Sequence, residues 1–399
     1  MPAKGKGNTM SAAYVLAAVR TPGCKAKKGK LKDVRPDDLA AAAIRALLER
    51  TEIDPGEIED VILGCAFPEG EQGMNVARVA AMRAGLPIHV PGQTVNRFCS
   101  SGLQTIATAA HRILAGDADV IVAGGTESMS LVPMGGGKFS ANPALVDAWP
   151  EAYASMGITA ELVAERHGVS RADQDAFAAE SHRRAAAAQA AGAFADELVP
   201  VEVESATIVK GRAVRRTETV AADDGVRFDT TIEGLAKLKP AFKVNGTVTA
   251  GNASQMTDGA AAALVVSERF LARTKLAPLA RFAGFAVRGV APEVMGIGPV
   301  EAIPAALAKA GIGVKDLGIV ELNEAFASQS LASIRALGLD PARVNPSGGA
   351  IALGHPLGCT GAKLTATLLH GLKRTRQRWG LVSMCIGGGM GAAAVFERA

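Results

Sequence analysis

Apolar residues along this chain fall into short continuous runs, each followed by a longer stretch with helical spacing. Tyr14–Val19 is such a run and predicts a strand. Pro36–Arg50 then places Leu39, Ala43, Leu47 and Leu48 on one face, the pattern of an amphipathic helix. The alternation continues with a strand over Val61–Phe67, a helix over Met74–Ala84 and a short segment at Thr94–Phe98. A helix over Ser100–Leu114 follows, then a buried strand at Asp119–Ala123 that Gly124-Gly125 is expected to end.

The second half repeats this order. Leu279–Val287 reads as a strand, Pro299–Ala310 as a helix, and Gly318–Leu322 as a strand leading into Asn323-Glu324-Ala325-Phe326. Thr360–Leu372 is helical, and the strand Leu381–Met384 precedes a glycine cluster. Ala66-Phe67 corresponds to Ala325-Phe326 and Ser101-Gly102 to Thr360-Gly361, 259 residues apart in both cases. A shared spacing over a shared element order indicates a duplication, with a period far too long for a solenoid. The fold class is therefore α/β, two related halves with strands sandwiched between helices. Between Glu127 and Val248 the rhythm breaks: Ala160–Arg166 and the alanine-rich Asp173–Ala191 predict helices, and Val199–Glu204 a short strand. The expected division is 1–126 plus 249–276 as the first half, 127–248 as an inserted lobe, and 277–399 as the second half.

A chain of 399 residues exceeds one ordinary domain. Its 48% hydrophobic and 21% charged residues fit a soluble globular protein, and 4% aromatics require an aliphatic core. The formal charge of +4 is too weak to point to nucleic acid and is compatible with a small anionic ligand. The basic stretch Lys25–Lys32 reads as a solvated loop or as a patch that attracts phosphates. Five widely spaced cysteines without a CxxC pair argue against a disulfide framework or a zinc site, and for a reducing compartment. With the alanine-rich composition this points to the cytoplasm. No run is long and apolar enough to span a membrane, and residues 1–10 lack the apolar core of a secretory signal, with order expected from Ser11.

Four stretches carry candidate chemistry. Cys99, in Thr94-Val95-Asn96-Arg97-Phe98-Cys99-Ser100-Ser101-Gly102, ends a strand and opens a helix. Free N–H groups and the helix dipole there can lower a thiol's pKa, and a sharp turn would expose the sulfur. A buried structural cysteine is the alternative reading. His355 sits in a loop with five glycines from Gly348 to Gly361, ahead of a helix start, where a proton-moving residue is well placed; Cys359 just beyond reads as packing. Cys385 ends a strand before Gly387-Gly388-Gly389, whose N–H groups can form an anion-binding nest. Asn323, also after a strand, can hold a water or a substrate oxygen. All four lie at or just past strand ends, where α/β sheets build ligand sites.

At Asn323–Ala327, Gly348–Ala362 and Cys385–Gly391 the sequence resembles the thiolase family, and the resemblance extends from about Ser11 to the end of the chain. It implies a layered αβαβα arrangement of the two halves. It also implies a reversible Claisen condensation in which coenzyme A is a co-substrate and no cofactor is bound. By resemblance, Cys99 would be the acyl-accepting nucleophile and His355 would activate it and the incoming coenzyme A thiol. Cys385 would exchange the proton at the acetyl carbon. Asn323 would hold a water that forms one oxyanion hole with His355, and the N–H groups of Cys99 and Gly387 would form a second. Met156 matches the stretch beside the pantetheine arm, and Arg227 a position near the nucleotide. Phe242, Ala253, Ser254 and Met256 match the channel wall, and Ala325 and Phe326 its inner end. Ser155 departs from members with a histidine there, and Gly234 from members with a serine.

Glu71–Arg78 and the form His355-Pro356-Leu357-Gly358-Cys359-Thr360-Gly361 look more like the degradative 3-ketoacyl-CoA thiolases than the biosynthetic acetoacetyl-CoA enzymes. The implied partners are 3-ketoacyl-CoA, acetyl-CoA and coenzyme A, with a homodimer or homotetramer as the assembly. A decarboxylating ketoacyl synthase is the rival enzyme, and Cys385 the residue that distinguishes it. A non-catalytic acyl-CoA or lipid carrier is the rival from another class.

Overall fold

The computed structural model describes residues 12–209 and 212–399; the 1–10 extension and the expected onset of order at Ser11 lie outside the described residues. The first half runs β1 (Ala13–Arg20), β2 (Cys24–Lys25), α1 (Pro36–Thr51), β3 (Asp60–Gly64), α2 (Val76–Ala84), β4 (Gly92–Val95), α3 (Ser101–Leu114) and β5 (Val120–Ser128). Next come α4 (Pro143–Ala148), α5 (Met156–Arg166), α6 (Arg171–Ala190), the hairpin β6 (Val201–Val209) and β7 (Arg212–Val220), and α7 (Ile232–Ala236). Then follow β8 (Thr257–Ser267), α8 (Glu268–Thr274), β9 (Ala280–Gly289), α9 (Gly298–Ala310) and β10 (Leu317–Leu322). The chain closes with α10 (Ala327–Leu337), α11 (Ala350–Leu353), α12 (Leu357–Thr375), β11 (Trp379–Ile386) and β12 (Met390–Arg398).

Strand order is β10-β11-β12-β9-β1-β8-β5-β3-β4, with β2 beside β8. Read inward from each side, β3-β5-β8-β1 and β10-β11-β12-β9 present the same sequence of roles. β5 and β11 begin 259 residues apart, the spacing already seen in the motifs. The two runs meet where β1 pairs antiparallel with β9 through Tyr14↔Arg281 and Val15↔Ala280.

Side chains alternate across each strand and sort into layers. Ile121 and Ala123 of β5 and Ala261, Ala263 and Val265 of β8 face a central core; so do Val382, Met384 and Ile386 of β11. Their neighbours Val120, Val122, Ala262 and Leu264 face α1 and α2, while Leu381, Ala393 and Val395 face α9. The central core is filled by α3 and α12, so helices and strands stack in the expected αβαβα order. α12 is buried from Leu357 to Leu372, and apart from Lys363 and His370 the residues round it are small or apolar, as a helix between two sheets requires. It meets α3 at two glycines. A Cβ at Gly102 would stand 2.8 Å from the backbone N of Ala362, and one at Gly361 would overlap the backbone N of Leu103. These are the residues paired by the internal repeat.

Several boundaries differ from the sequence reading. β5 does not end at Gly124-Gly125 but pairs with β8 through to Ser128↔Asp258. The glycines serve close approach: a Cβ on Gly125 would overlap the Gly358 carbonyl in the first turn of α12. β3 stops at Gly64, where the chain turns into the site. The strand expected at Val199–Glu204 is longer and belongs to a hairpin. The basic stretch at Lys25–Lys32 is anchored by fully buried Leu31, with Lys27, Lys28, Lys30 and Lys32 exposed.

Candidate active site

Cys99 sits on a one-turn 3-10 segment, Phe98–Ser100, between β4 and α3. Phe98 adopts φ +41°, a left-handed conformation that costs a non-glycine residue about 1–2 kcal/mol. Local bonds hold it there. Asn96 Oδ1 accepts from the Phe98 N–H (2.8 Å), and the Asn96 amide donates to Ala66 O (2.9 Å). Ser101 Oγ donates to Phe98 O (2.7 Å). The elbow aims the thiol inward rather than exposing it: Cys99 is 9% exposed and packs against Ala66, Met129 and Leu357.

The lowered Cys99 pKa that a helix start can give is not what the surroundings produce. Burial pushes the thiol up to about 11, only partly offset by the N–H groups of Gly387 and of Cys99 itself, which point at the sulfur. Those N–H groups are the two donors expected at one oxyanion hole. Gly387 follows β11, and the φ values of +82° and +85° at Gly388 and Gly389 allow the chain to turn back into β12. Cys385, at the end of β11, is fully buried. Burial and the neighbouring Cys99 raise its thiol far above the usual range. Met156, Ala253, Ala325 and Phe326 pack in one cluster with it.

His355 approaches from the loop between α11 and α12. Its backbone N–H donates to Gln255 O (3.0 Å) and Thr257 Oγ1 (3.1 Å), and Gly354 before it has φ +83°. Thr360, one turn into α12, donates its hydroxyl to Pro356 O (3.1 Å) and lies 2.6 Å from His355 Nδ1. Its one proton is thereby used, so Nδ1 carries the imidazole proton and donates to Thr360, leaving Nε2 as an acceptor from the Asn323 amide. That nitrogen is 3.4 Å from Nδ2 of Asn323. Burial, and then the charge of Lys363, push the imidazole down to about 3, so it rests neutral. Asn323 is fixed by its N–H donating to Ser383 O (2.9 Å) on β11, and its Oδ1 has no hydrogen-bond partner among the described residues.

One extended segment joins these loops. Ala253 bridges Phe326, the Ser254 N–H donates to Ala325 O (2.9 Å), and Met256 bridges His355. Residues 253–256 thus run as a wall from the Asn323 loop to the His355 loop, with Met256 52% exposed at its open end. Phe242 stands edge-on to Phe326 at 6.1 Å and against Gly157. Arg227 is exposed between β7 and α7. Its backbone is held by His182 (3.1 Å), and nearby Gly225 O accepts from Gln255 (3.0 Å). Cys359, by contrast, packs in the central core.

Family models assign the whole of this architecture. The thiolase N-terminal domain matches residues 13–269, and the thiolase C-terminal domain matches residues 276–398. The chain belongs to the thiolase family. It is 56% identical over 389 residues to a 3-ketoacyl-CoA thiolase of Bacillus subtilis, covering 97% of this chain and 100% of that one. A peroxisomal 3-ketoacyl-CoA thiolase of Arabidopsis thaliana is 50% identical over 391 residues, covering 96% and 85%. Among solved structures, human mitochondrial 3-ketoacyl-CoA thiolase superposes with TM-score 0.88 at 40% identity, over 98% of this chain and 99% of that one. An acetyl-CoA acetyltransferase of Bacillus anthracis gives TM-score 0.89 at 39% identity, over 98% and 100%. Among the described residues no helix is long and apolar enough to cross a membrane.

Three supports of this thiolase site were not singled out from sequence. Buried Glu127 on β5 accepts from the N–H groups of Ala66 (2.7 Å), Phe67 (3.3 Å) and Gly358 (2.8 Å), and from Gln72 (2.6 Å). It staples the loop after β3 to the first turn of α12, beneath Cys99. Thr360 fixes the imidazole tautomer. Lys363, buried in α12, donates to Leu353 O (3.0 Å) and Gly354 O (3.1 Å), the carbonyls just before His355. Glu127 and Lys363 look like surface charges in a list of letters; only the tertiary fold buries them.

Proposed function

We propose that this thiolase is an acyltransferase that cleaves 3-ketoacyl-CoA with coenzyme A, giving acetyl-CoA and an acyl-CoA shortened by two carbons, as in fatty-acid β-oxidation. The observation that carries the reading is the convergence of the Gly387 and Cys99 N–H groups on the Cys99 sulfur, with Cys385 alongside. Identities of 47–56% to 3-ketoacyl-CoA thiolases support the degradative substrate.

In this scheme His355 Nε2 takes the Cys99 proton as the sulfur attacks the 3-keto carbon. Charge on the ketone oxygen is met by preorganised donors. The C2–C3 bond breaks, its electron pair leaves as the enolate of acetyl-CoA, and Cys385 supplies the proton to C2. His355–H⁺ and the water held by Asn323 steady the enolate oxygen, and the imidazolium proton then restores Cys385. A second coenzyme A gives its thiol proton to His355, attacks the acyl-Cys99 thioester and releases Cys99, which recovers that proton. The cycle is ping-pong and calls for neither metal nor redox cofactor. Met156, Arg227, Phe242, Ala253, Ser254, Met256, Ala325 and Phe326 would line the coenzyme A path; the wall at residues 253–256 and the Phe242–Phe326 contact support it. A cytoplasmic homodimer or homotetramer belongs to the same proposal. All five cysteines are free and buried, and β4 is an uncovered sheet edge near exposed Met74, Ile88 and Phe98.

A biosynthetic, acetoacetyl-specific reading draws on the equally good superposition of the acetyltransferase. Thiolysis of 3-ketoacyl-CoAs from four carbons upward separates the two. Cleavage of chains longer than four carbons is expected. Activity confined to acetoacetyl-CoA would move the enzyme to the biosynthetic branch, and no cleavage by folded protein would favour a synthase or a carrier.

A further inference from the structure

Away from the Cys99 site, β10 forms one edge of the sheet, and Glu321 on it is 2% exposed. Its Oε2 has no hydrogen-bond partner among the described residues. A buried carboxyl without a partner is costly, and proteins ordinarily neutralise it or bond it. Glu321 lines a cavity of about 310 Å³ between α6 and α12, together with Ser347, Thr367, Arg183, Arg184 and Arg374. The thiolase scheme uses none of these residues.

The donors left over define what would fit. Arg183 and Arg184 both pair with Glu180, and Arg184 also donates to Val344 O (2.6 Å). Thr367 is spent on Glu197 (2.8 Å), which already pairs with Arg20. Arg374 gives only Nη1 to Ala193 O (3.0 Å), and the Ser347 hydroxyl makes no hydrogen bond among the described residues. With Glu180 paired to Arg183 and Arg184, Glu197 paired to Arg20 and Glu321 a neutral acid, the three guanidinium groups leave the cavity positive. We propose that this cavity is a second ligand site, independent of the thiolase reaction, that binds a small oxyanion, a carboxylate or phosphate group. Arg374 and Ser347 would donate to it, and Glu321 would donate as a neutral acid. Burial, with Glu197 and Glu324 nearby, holds the Glu321 carboxyl well above the usual carboxylate range, so it can carry that proton.

The test is calorimetric titration of the full chain with inorganic phosphate and, separately, with acetate, in saturating coenzyme A so that the reaction channel is filled. One saturable site is expected for at least one anion, and the preferred anion tells a phosphoryl from a carboxylate ligand. Loss of a charged donor in Arg374→Gln is expected to weaken it about tenfold or more. Glu321→Gln, which keeps a neutral donor, should bind within about threefold of wild type, and Glu321→Leu should not bind. Circular dichroism melts of each variant separate lost binding from lost folding. No saturable binding, an affinity indifferent to Arg374→Gln in folded protein, or binding of guanidinium that disappears in Glu321→Gln would each overturn the proposal.

Discussion

Cys99 and His355 should rest as a neutral pair, and this can be measured through the pH dependence of thiol alkylation. The perturbation is a shift of buffer from pH 6 to pH 11 during reaction with iodoacetamide. With its thiol at about 11 rather than the ordinary 9.0, Cys99 is about 10⁻⁴ thiolate at pH 7, roughly a hundredfold less than a free cysteine. The sign follows directly. A raised thiol gains thiolate as pH rises, so the rate should climb about tenfold per pH unit from 7 to 10 and begin to bend over only near 11. His355, held down to about 3, is neutral throughout this range and should add no inflection. Moving the proton from sulfur to imidazole in the resting site spans about eight pH decades, or about 11 kcal/mol. A close ion pair returns about 4 kcal/mol of that at an effective dielectric of 20. The neutral pair is therefore the expected resting form, and in the proposed scheme the ion pair forms only as substrate reacts. Mass spectrometry of the Cys99 peptide, with Cys99→Ser as background, reads the rate. A plateau below pH 8, or an inflection near pH 6–7, would refute the neutral pair.

Cys385→Ala should still form acyl-Cys99 from acyl-CoA, yet lose exchange of the acetyl methyl protons with deuterated water, followed by NMR; normal exchange would remove Cys385 from the proton step. Gly361→Ala forces a Cβ onto the Leu103 backbone where α3 and α12 cross, and should destabilise by about 2–3 kcal/mol in denaturant melts. Glu127→Gln keeps the shape but loses the charge that accepts from three backbone N–H groups, and should cost about 2–3 kcal/mol. That substitution should also lower kcat more than KM, because the staple positions the loops around Cys99 without touching the substrate path.

Much of this was legible in the letters because the core is simple. Small aliphatic residues alternate cleanly in β5 and β8, and the 259-residue repeat survives at the glycines where α3 meets α12. Cys99, His355, Asn323 and Cys385 were visible because each lies beside loop or glycine chemistry that a plain core element has no use for. What stayed hidden depends on long-range placement. Gly124-Gly125 looks like a strand end until α12 is known to press on it. α10 and β12 were not predicted: Ala327–Leu337 runs on from the Asn323 motif without a break, and the glycines before Met390–Arg398 read as a binding nest rather than as the turn into a further strand. The direction of the Cys99 shift stayed open for the same reason: a helix start can lower a thiol's pKa, but the depth of burial, which sequence does not give, dominates.

The all-round burial of α12 also has a cost during synthesis. β8 completes the first half of the sheet, but α12, which covers its inner face, starts about 90 residues later, roughly 5–20 s at ribosomal speeds. Throughout that interval Ile121, Ala123, Ala261, Ala263 and Val265 have only α3 to shield them. The nascent chain is thus most prone to aggregate between the two halves of its own duplication, and a chaperone that lingers there would protect the yield of enzyme more than one acting on the finished fold.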